Sequence, residues 1–123
     1  MSDTVRYIQC YSHDGRVGVL IEFSLDMSVT TREPQFVQLS KDLAMHIAAH
    51  GPKGIEQLLA QPFVREPSLS VSRRISDVSA ALEEHIAVIR FLRWGDDPIK
   101  PDEPTKGPAA IVRFRQPGPK DAQ

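Results

Sequence analysis

Residues 17–50 read VGVLIEFSLDMSVTTREPQFVQLSKDLAMHIAAH, and this stretch decides the fold. Within residues 16–24, every second residue is a large apolar one, which predicts a β-strand that buries one face. That face carries Val17, Val19, Ile21 and Phe23. Residues 5–11 form a second candidate strand, and the following Asp14-Gly15 dipeptide favours a tight hairpin turn between the two strands.

A helix that covers these strands is predicted over residues 34–50. Its apolar residues recur at spacings of three and four: Phe36, Leu39, Leu43 and Ile47. Pro34 suits the first helical position, and Gly51-Pro52 marks the end of the helix.

The second half of the chain contributes three weaker elements. Helices are predicted over residues 55–60 and 71–84, with an ordered loop between them. Residues 86–94, IAVIRFLRW, are predicted as a strand that is buried mostly on both faces. The order of elements indicates an α+β fold, a small three-stranded antiparallel sheet with helices packed on one face.

The bulk composition is that of an ordinary globular domain. The chain has 123 residues, of which 41% are hydrophobic and 25% charged, and its net charge is −1. Because basic residues are not in excess, we expect no direct binding to nucleic acid. A single cysteine, Cys10, excludes an internal disulfide, although a bond between two copies stays open. Without an apolar leader or membrane-length apolar run, we expect a cytoplasmic protein that does not enter membranes.

The proline content predicts two segments. Six of the ten prolines follow Gly95, in a stretch with few large apolar residues. Such a stretch buries too little surface to offset its ordering entropy. We therefore expect a folded domain over residues 1–94 and a flexible, proline-rich tail over residues 95–123.

Several motifs together resemble one known family. They are GRVGVLIEF at 15–23, PQFVQLSKDLAMHIAAHGPK at 34–53, AQPFVREPSLSV at 60–71 and EEHIAVIRFLRW at 83–94. This pattern is similar to the dimerisation domain of bacterial and organellar elongation factor Ts. The resemblance covers residues 15–94 with one gap, and it implies the same α+β fold, a homodimer, and elongation factor Tu as a partner.

Two features of that family are expected to be missing here. Family members carry an N-terminal helical domain that grips the nucleotide domain of elongation factor Tu, whereas this chain begins at the first strand. They also carry a largely helical insertion, where this chain passes directly through residues 51–54 into the following helix.

The bend between the central strand and the long helix is the candidate partner-binding site. In the family, this bend carries the motif Thr-Asp-Phe-Val, whose Asp and Phe push into elongation factor Tu and help to eject GDP. The aligned residues here are Met27, Ser28, Val29 and Thr30. The resemblance therefore implies a degenerate motif that binds elongation factor Tu with weak or no nucleotide exchange. The alternative hypothesis is a repurposed dimeric scaffold, in which the bend is a relic and the tail binds a different partner.

No residue pattern indicates catalysis, a cofactor or a metal. His46 and His50 have the i, i+4 spacing of metal ligands, but no third ligand is evident. We interpret them as lining a helix end, where an imidazolium ion is favourable. The apolar Leu58, Leu59 and Phe63 fit either an interface or packing within the monomer. We expect a binding protein that is not an enzyme.

Overall fold

A computed structural model of the protein describes residues 4–95. Five strands lie in this part of the chain: β1 (Val5–His13), β2 (Val17–Leu25), β3 (Pro62–Phe63), β4 (Glu66–Ser70) and β5 (Ala87–Gly95). Its α-helices are α1 (Pro34–His50), α2 (Ile55–Ala60) and α3 (Val71–Leu82), and a short 3-10 helix occupies Ser28–Arg32. The predicted α+β class is confirmed. The proline-rich tail, apart from Gly95, lies outside the described residues.

The main sheet has the order β1-β2-β5, with β2 in the centre and both neighbours antiparallel to it. The β1–β2 turn uses Asp14 and Gly15 at φ 56° and 68°, and the Arg16 N–H donates to the His13 carbonyl at 3.0 Å. Positive φ at both central residues of this turn gives a backbone twist that matches the right-handed twist of the flanking strands. The hairpin predicted from Asp14-Gly15 is therefore confirmed.

One face of this sheet is covered by α1, and the core lies between them. The buried apolar residues of β2 are Val17, Val19, Ile21, Phe23 and Leu25, and those of α1 include Phe36, Leu39, Leu43 and Ile47. Every apolar residue predicted for these two faces is buried. Phe36 is central, because its ring makes edge-to-face contacts with Tyr7 and Phe23 at centroid distances of 5.1 and 5.3 Å.

The long helix begins and ends where the sequence predicts. Pro34 occupies the first helical turn, and Gly51 closes the helix in the left-handed conformation at φ 55°. The Gly51 N–H donates to the Ile47 carbonyl at 2.9 Å. Arg93 of β5 donates to the Ala48 carbonyl at 3.0 Å, which satisfies another of the free carbonyls at this end.

The segment between α2 and α3 is more regular than the predicted loop. Strands β3 and β4 pair as a small antiparallel hairpin, with a register shift after Pro62. A two-residue strand such as β3 is too short to show a period in the sequence, which explains the omission. Leu58 and Phe63 are buried in the core, so they pack within the monomer.

The prediction that the last strand is buried on both faces is wrong. β5 is an edge strand, and most of its residues are exposed, Trp94 at 72%. Only one face of β5 turns toward the core, through the partly buried Val88 and Phe91. Its apolar composition suggested full burial because composition does not reveal whether a second layer covers the other face.

The described residues contain no helix long and apolar enough to cross a membrane.

Candidate partner-binding surfaces

The bend between β2 and α1 presents an apolar tip to solvent. We call residues 27–30 the tip. Met27 and Val29 are 50% and 49% exposed, and Ser28 is also exposed, whereas Thr30 is 3% exposed. Three of the four residues predicted from the family motif therefore reach the surface, and Thr30 faces inward.

Glu84 attaches the tip to the segment between α3 and β5. This buried carboxylate, which follows α3, accepts hydrogen bonds from the Asp26 backbone N–H and from the Thr30 hydroxyl. Beside it, His85 Nδ1 lies 2.8 Å from Asp26 Oδ2. The hydrogen bond and charge of Asp26 raise the pKa of the exposed His85 above its usual value.

The face of the sheet that α1 leaves uncovered is a second candidate surface, which we call the open face. Its register places these residues on adjacent strands: Ile8, Cys10, Leu20, Glu22, Arg90, Leu92 and Trp94. The apolar side chains among them are exposed, Leu20 at 45% and Leu92 at 46%, and shallow depressions of about 360 and 240 Å³ lie between them. Contiguous exposed apolar surface of this kind is typical of interaction sites.

A charged cluster interrupts the open face. Glu22 is nearly buried, and its two carboxylate oxygens lie 2.6 Å from Arg90 Nε and 3.5 Å from Arg6 Nη1. The hydrogen bond from Arg90 is the main cause that holds the pKa of Glu22 below its usual value, and the Arg6 charge adds to it. Glu22 is therefore ionised and paired at neutral pH, while both arginines keep exposed donors for further contacts.

His46 is a structural residue in the interior. Its Nε2 lies 2.8 Å from Gln61 Oε1, and its Nδ1 accepts from the Val64 N–H at 3.2 Å. Because Nδ1 accepts from a backbone donor, the ring is neutral with its proton on Nε2. Burial is the main cause that lowers the pKa of His46, so the prediction of a favourable imidazolium at this residue is wrong. No group of three or more potential metal ligands occurs within residues 4–95.

Two of these features have no signature in the sequence. Glu84 is one of two adjacent glutamates, and one of its partners is a backbone N–H that is 58 residues away. Glu22 occupies an ordinary outward position of a strand, and its arginine partners lie on the two neighbouring strands. Only the sheet order brings these groups together, so periodicity alone could not indicate them.

Comparison with known proteins relates this arrangement to one family. The family described as Elongation factor TS matches residues 1–58. A protein named Elongation factor Ts from Nostoc sp. is 38% identical over 80 residues, which cover 65% of this chain and 25% of that protein. Another of that name from Trichlorobacter lovleyi is 29% identical over 84 residues, covering 68% of this chain and 27% of the relative.

A third alignment indicates what differs between this chain and its relatives. The Elongation factor Ts of Alkaliphilus metalliredigens is 23% identical over 132 positions, which cover 71% of this chain and 61% of the relative. The aligned part of this chain is about 87 residues, which is 71% of 123. Because the alignment has 132 positions, roughly 45 of them have no counterpart in this chain. The chain thus spans between a quarter and about three fifths of the length of these curated relatives.

Proposed function

We propose that this chain, which belongs to the elongation factor Ts family, binds elongation factor Tu through the tip and stimulates nucleotide exchange weakly or not at all. The observation that carries this proposal is the exposure of Met27 and Val29 on a bend. A hydrogen bond between two buried side chains, Thr30 and Glu84, holds this bend in place. The tip occupies the position of the family's exchange motif. The chain would act in the cytoplasm with the translation machinery, as a binding protein.

The chemistry of the tip supports binding more than it supports exchange. Ser28 offers a hydroxyl where the family motif has a carboxylate, and Val29 offers an isopropyl group where it has an aromatic ring. Interface aromatics often dominate binding, and losing most of one costs about 1–3 kcal/mol, or roughly five- to a hundredfold in affinity. The remaining apolar surface of Met27 and Val29 still supplies a contact.

The open face supports a homodimer. Leu20, Leu92 and Trp94 are exposed together on the face of the sheet that no element covers within residues 4–95. A second copy that packs on this face would remove them from water, at roughly 25 cal/mol per Å² of apolar surface. The edge strands β1 and β5 offer a further route to self-association by strand pairing.

Release of fluorescent GDP from elongation factor Tu tests the role of the tip. The double variant Ser28→Asp with Val29→Phe restores the two family residues at exposed positions, so it leaves the core intact. We expect this variant to release GDP about five- to a hundredfold faster than the wild type at equal concentration. Ser68→Asp, which adds the same charge on exposed β4, serves as the control. Equal rates for all three proteins would contradict the proposal.

Sedimentation velocity tests the role of the open face. Leu20→Lys places a charge in the middle of that face, whereas Val29→Lys places the same charge on the tip. We expect the wild type and the tip variant to sediment as dimers, and the Leu20 variant as a monomer with an unchanged circular dichroism spectrum. A monomeric wild type at micromolar to millimolar concentration would refute the dimer.

A further inference from the structure

The tip has little internal stability of its own. Its 3-10 helix has five residues, and the residue that precedes it, Met27, makes no side-chain capping bond. Its local bonds include Thr30 N–H to the Met27 carbonyl at 3.2 Å, Glu33 N–H to the Thr30 carbonyl at 3.0 Å and the Thr31 hydroxyl to the Ser28 carbonyl at 2.7 Å. Short 3-10 turns have poor hydrogen-bond geometry, so these bonds alone fix the direction of the tip weakly.

Glu84 supplies the missing constraint. One carboxylate group accepts from Asp26, directly before the tip, and from Thr30, at its end. Glu84 and Thr30 are both buried, so without the carboxylate the Thr30 hydroxyl would lose its partner at a place with little access to water. The two ends of the tip are thus joined through a single group on another element.

The backbone of Glu84 is itself held in place. α3 ends in a Schellman motif, in which the Glu83 N–H donates to the Ala80 carbonyl and the Glu84 N–H donates to the Ser79 carbonyl at 3.0 Å. Two residues after Glu84, Ile86 is buried in the core. The carboxylate therefore projects from a rigid junction, between the end of α3 and the start of β5.

From this geometry we propose that Glu84 is a positioning residue: it fixes the tip in the orientation in which Met27 and Val29 meet a partner. The binding part of this inference rests on the proposed function, whereas the effect on the tip does not. Glu84 touches no partner itself, and it acts by keeping the tip ordered before binding, which lowers the entropy lost on association.

Hydrogen exchange of the full chain tests the effect on the tip. In Glu84→Ala, we expect the amides of residues 26–30 to exchange about 10- to 100-fold faster than in the wild type, the factor implied when a buried donor loses its acceptor. Amides in the middle of α1 should change much less.

Glu84→Gln should largely restore protection from exchange, because its side-chain amide oxygen can accept from the Asp26 N–H and its side-chain amide N–H can donate to the Thr30 hydroxyl oxygen. Glu83→Gln removes a neighbouring exposed carboxylate and is the matched control. Unchanged exchange at the tip in Glu84→Ala would overturn the proposal.

Binding to elongation factor Tu separates the two claims. We expect Glu84→Ala to bind at least fivefold more weakly than the wild type, with Glu84→Gln and Glu83→Gln close to the wild type. If the tip loosens but the affinity of Glu84→Ala is unchanged, Glu84 does not position the tip for this partner. If the wild type itself shows no binding, the proposed function fails, and the exchange data alone decide whether Glu84 fixes the tip.

Discussion

Replacing Glu83 by glycine is expected to stabilise the protein. Glu83 ends α3 at φ 52° and ψ 50°, a left-handed conformation in which a side chain costs about 1–2 kcal/mol. The side chain of Glu83 is exposed, so its removal loses little packing. Glycine adds flexibility to the unfolded chain, which costs roughly 0.5–1 kcal/mol. The net gain in the free energy of unfolding is therefore about 0.5–1 kcal/mol, or about 3–6 °C in Tm for a domain of this size.

The matched variant for this test is Glu83→Ala. It removes the same charge but keeps a Cβ in the left-handed region, so we expect no gain in stability from it. Urea unfolding of both variants and the wild type, at one protein concentration, compares their midpoints at equal slope. The reasoning is refuted if the glycine variant is no more stable than the alanine variant.

Three further predictions concern the core, the buried His46 and the glycine that ends β5. Phe36→Ala removes a fully buried ring, and urea unfolding should show a loss of about 3–5 kcal/mol; a loss below about 1 kcal/mol would contradict the central position of Phe36. The pKa of His46 is lowered in the folded protein, whereas in the unfolded chain it has its ordinary value of 6.5. As the pH falls below 6.5, His46 therefore takes up a proton more readily in the unfolded chain than in the folded protein. The free energy of unfolding should thus fall below pH 6.5, by up to about 1.4 kcal/mol per pH unit more in the wild type than in His46→Gln. If the free energy of unfolding of the two proteins depends on pH in the same way, this prediction is wrong. A Cβ on Gly95 would lie 2.3 Å from the Arg16 carbonyl oxygen at φ 135°, so Gly95→Ala should lower the free energy of unfolding by about 1–3 kcal/mol, and an unchanged midpoint would contradict it.

The sequence was sufficient for elements whose signals are local. The long helix runs from Pro34 to His50, as predicted, because a proline, a regular apolar spacing and a terminal Gly-Pro pair all act within a few residues. The first hairpin was predictable for the same reason, since Asp14-Gly15 determines its turn through its own backbone conformation. Both elements also bury every apolar side chain assigned to their inner faces.

Features that depend on distant neighbours could not be predicted. The exposure of β5 follows from its place at a sheet edge with one covered face, and its own residues do not encode that place. His46 is neutral because the fold buries it, and because the Val64 N–H, from another segment, donates to its Nδ1. Glu84 has the same property, because its partners lie 54 and 58 residues away. The candidate site was located from a resemblance, and the group that supports it became apparent only in three dimensions.

The central claim is tested most directly by adding increasing amounts of the full wild-type chain to elongation factor Tu that is loaded with fluorescent GDP. Elongation factor Tu from the same organism should show saturable binding, with a rate of GDP release at saturation far below that produced by a full-length elongation factor Ts. Absence of binding at concentrations up to about 100 μM, which corresponds to less than about 5.5 kcal/mol of binding free energy, would contradict the account. GDP release as fast as with the full-length factor would contradict the assignment of Ser28 and Val29 as a weakened exchange motif.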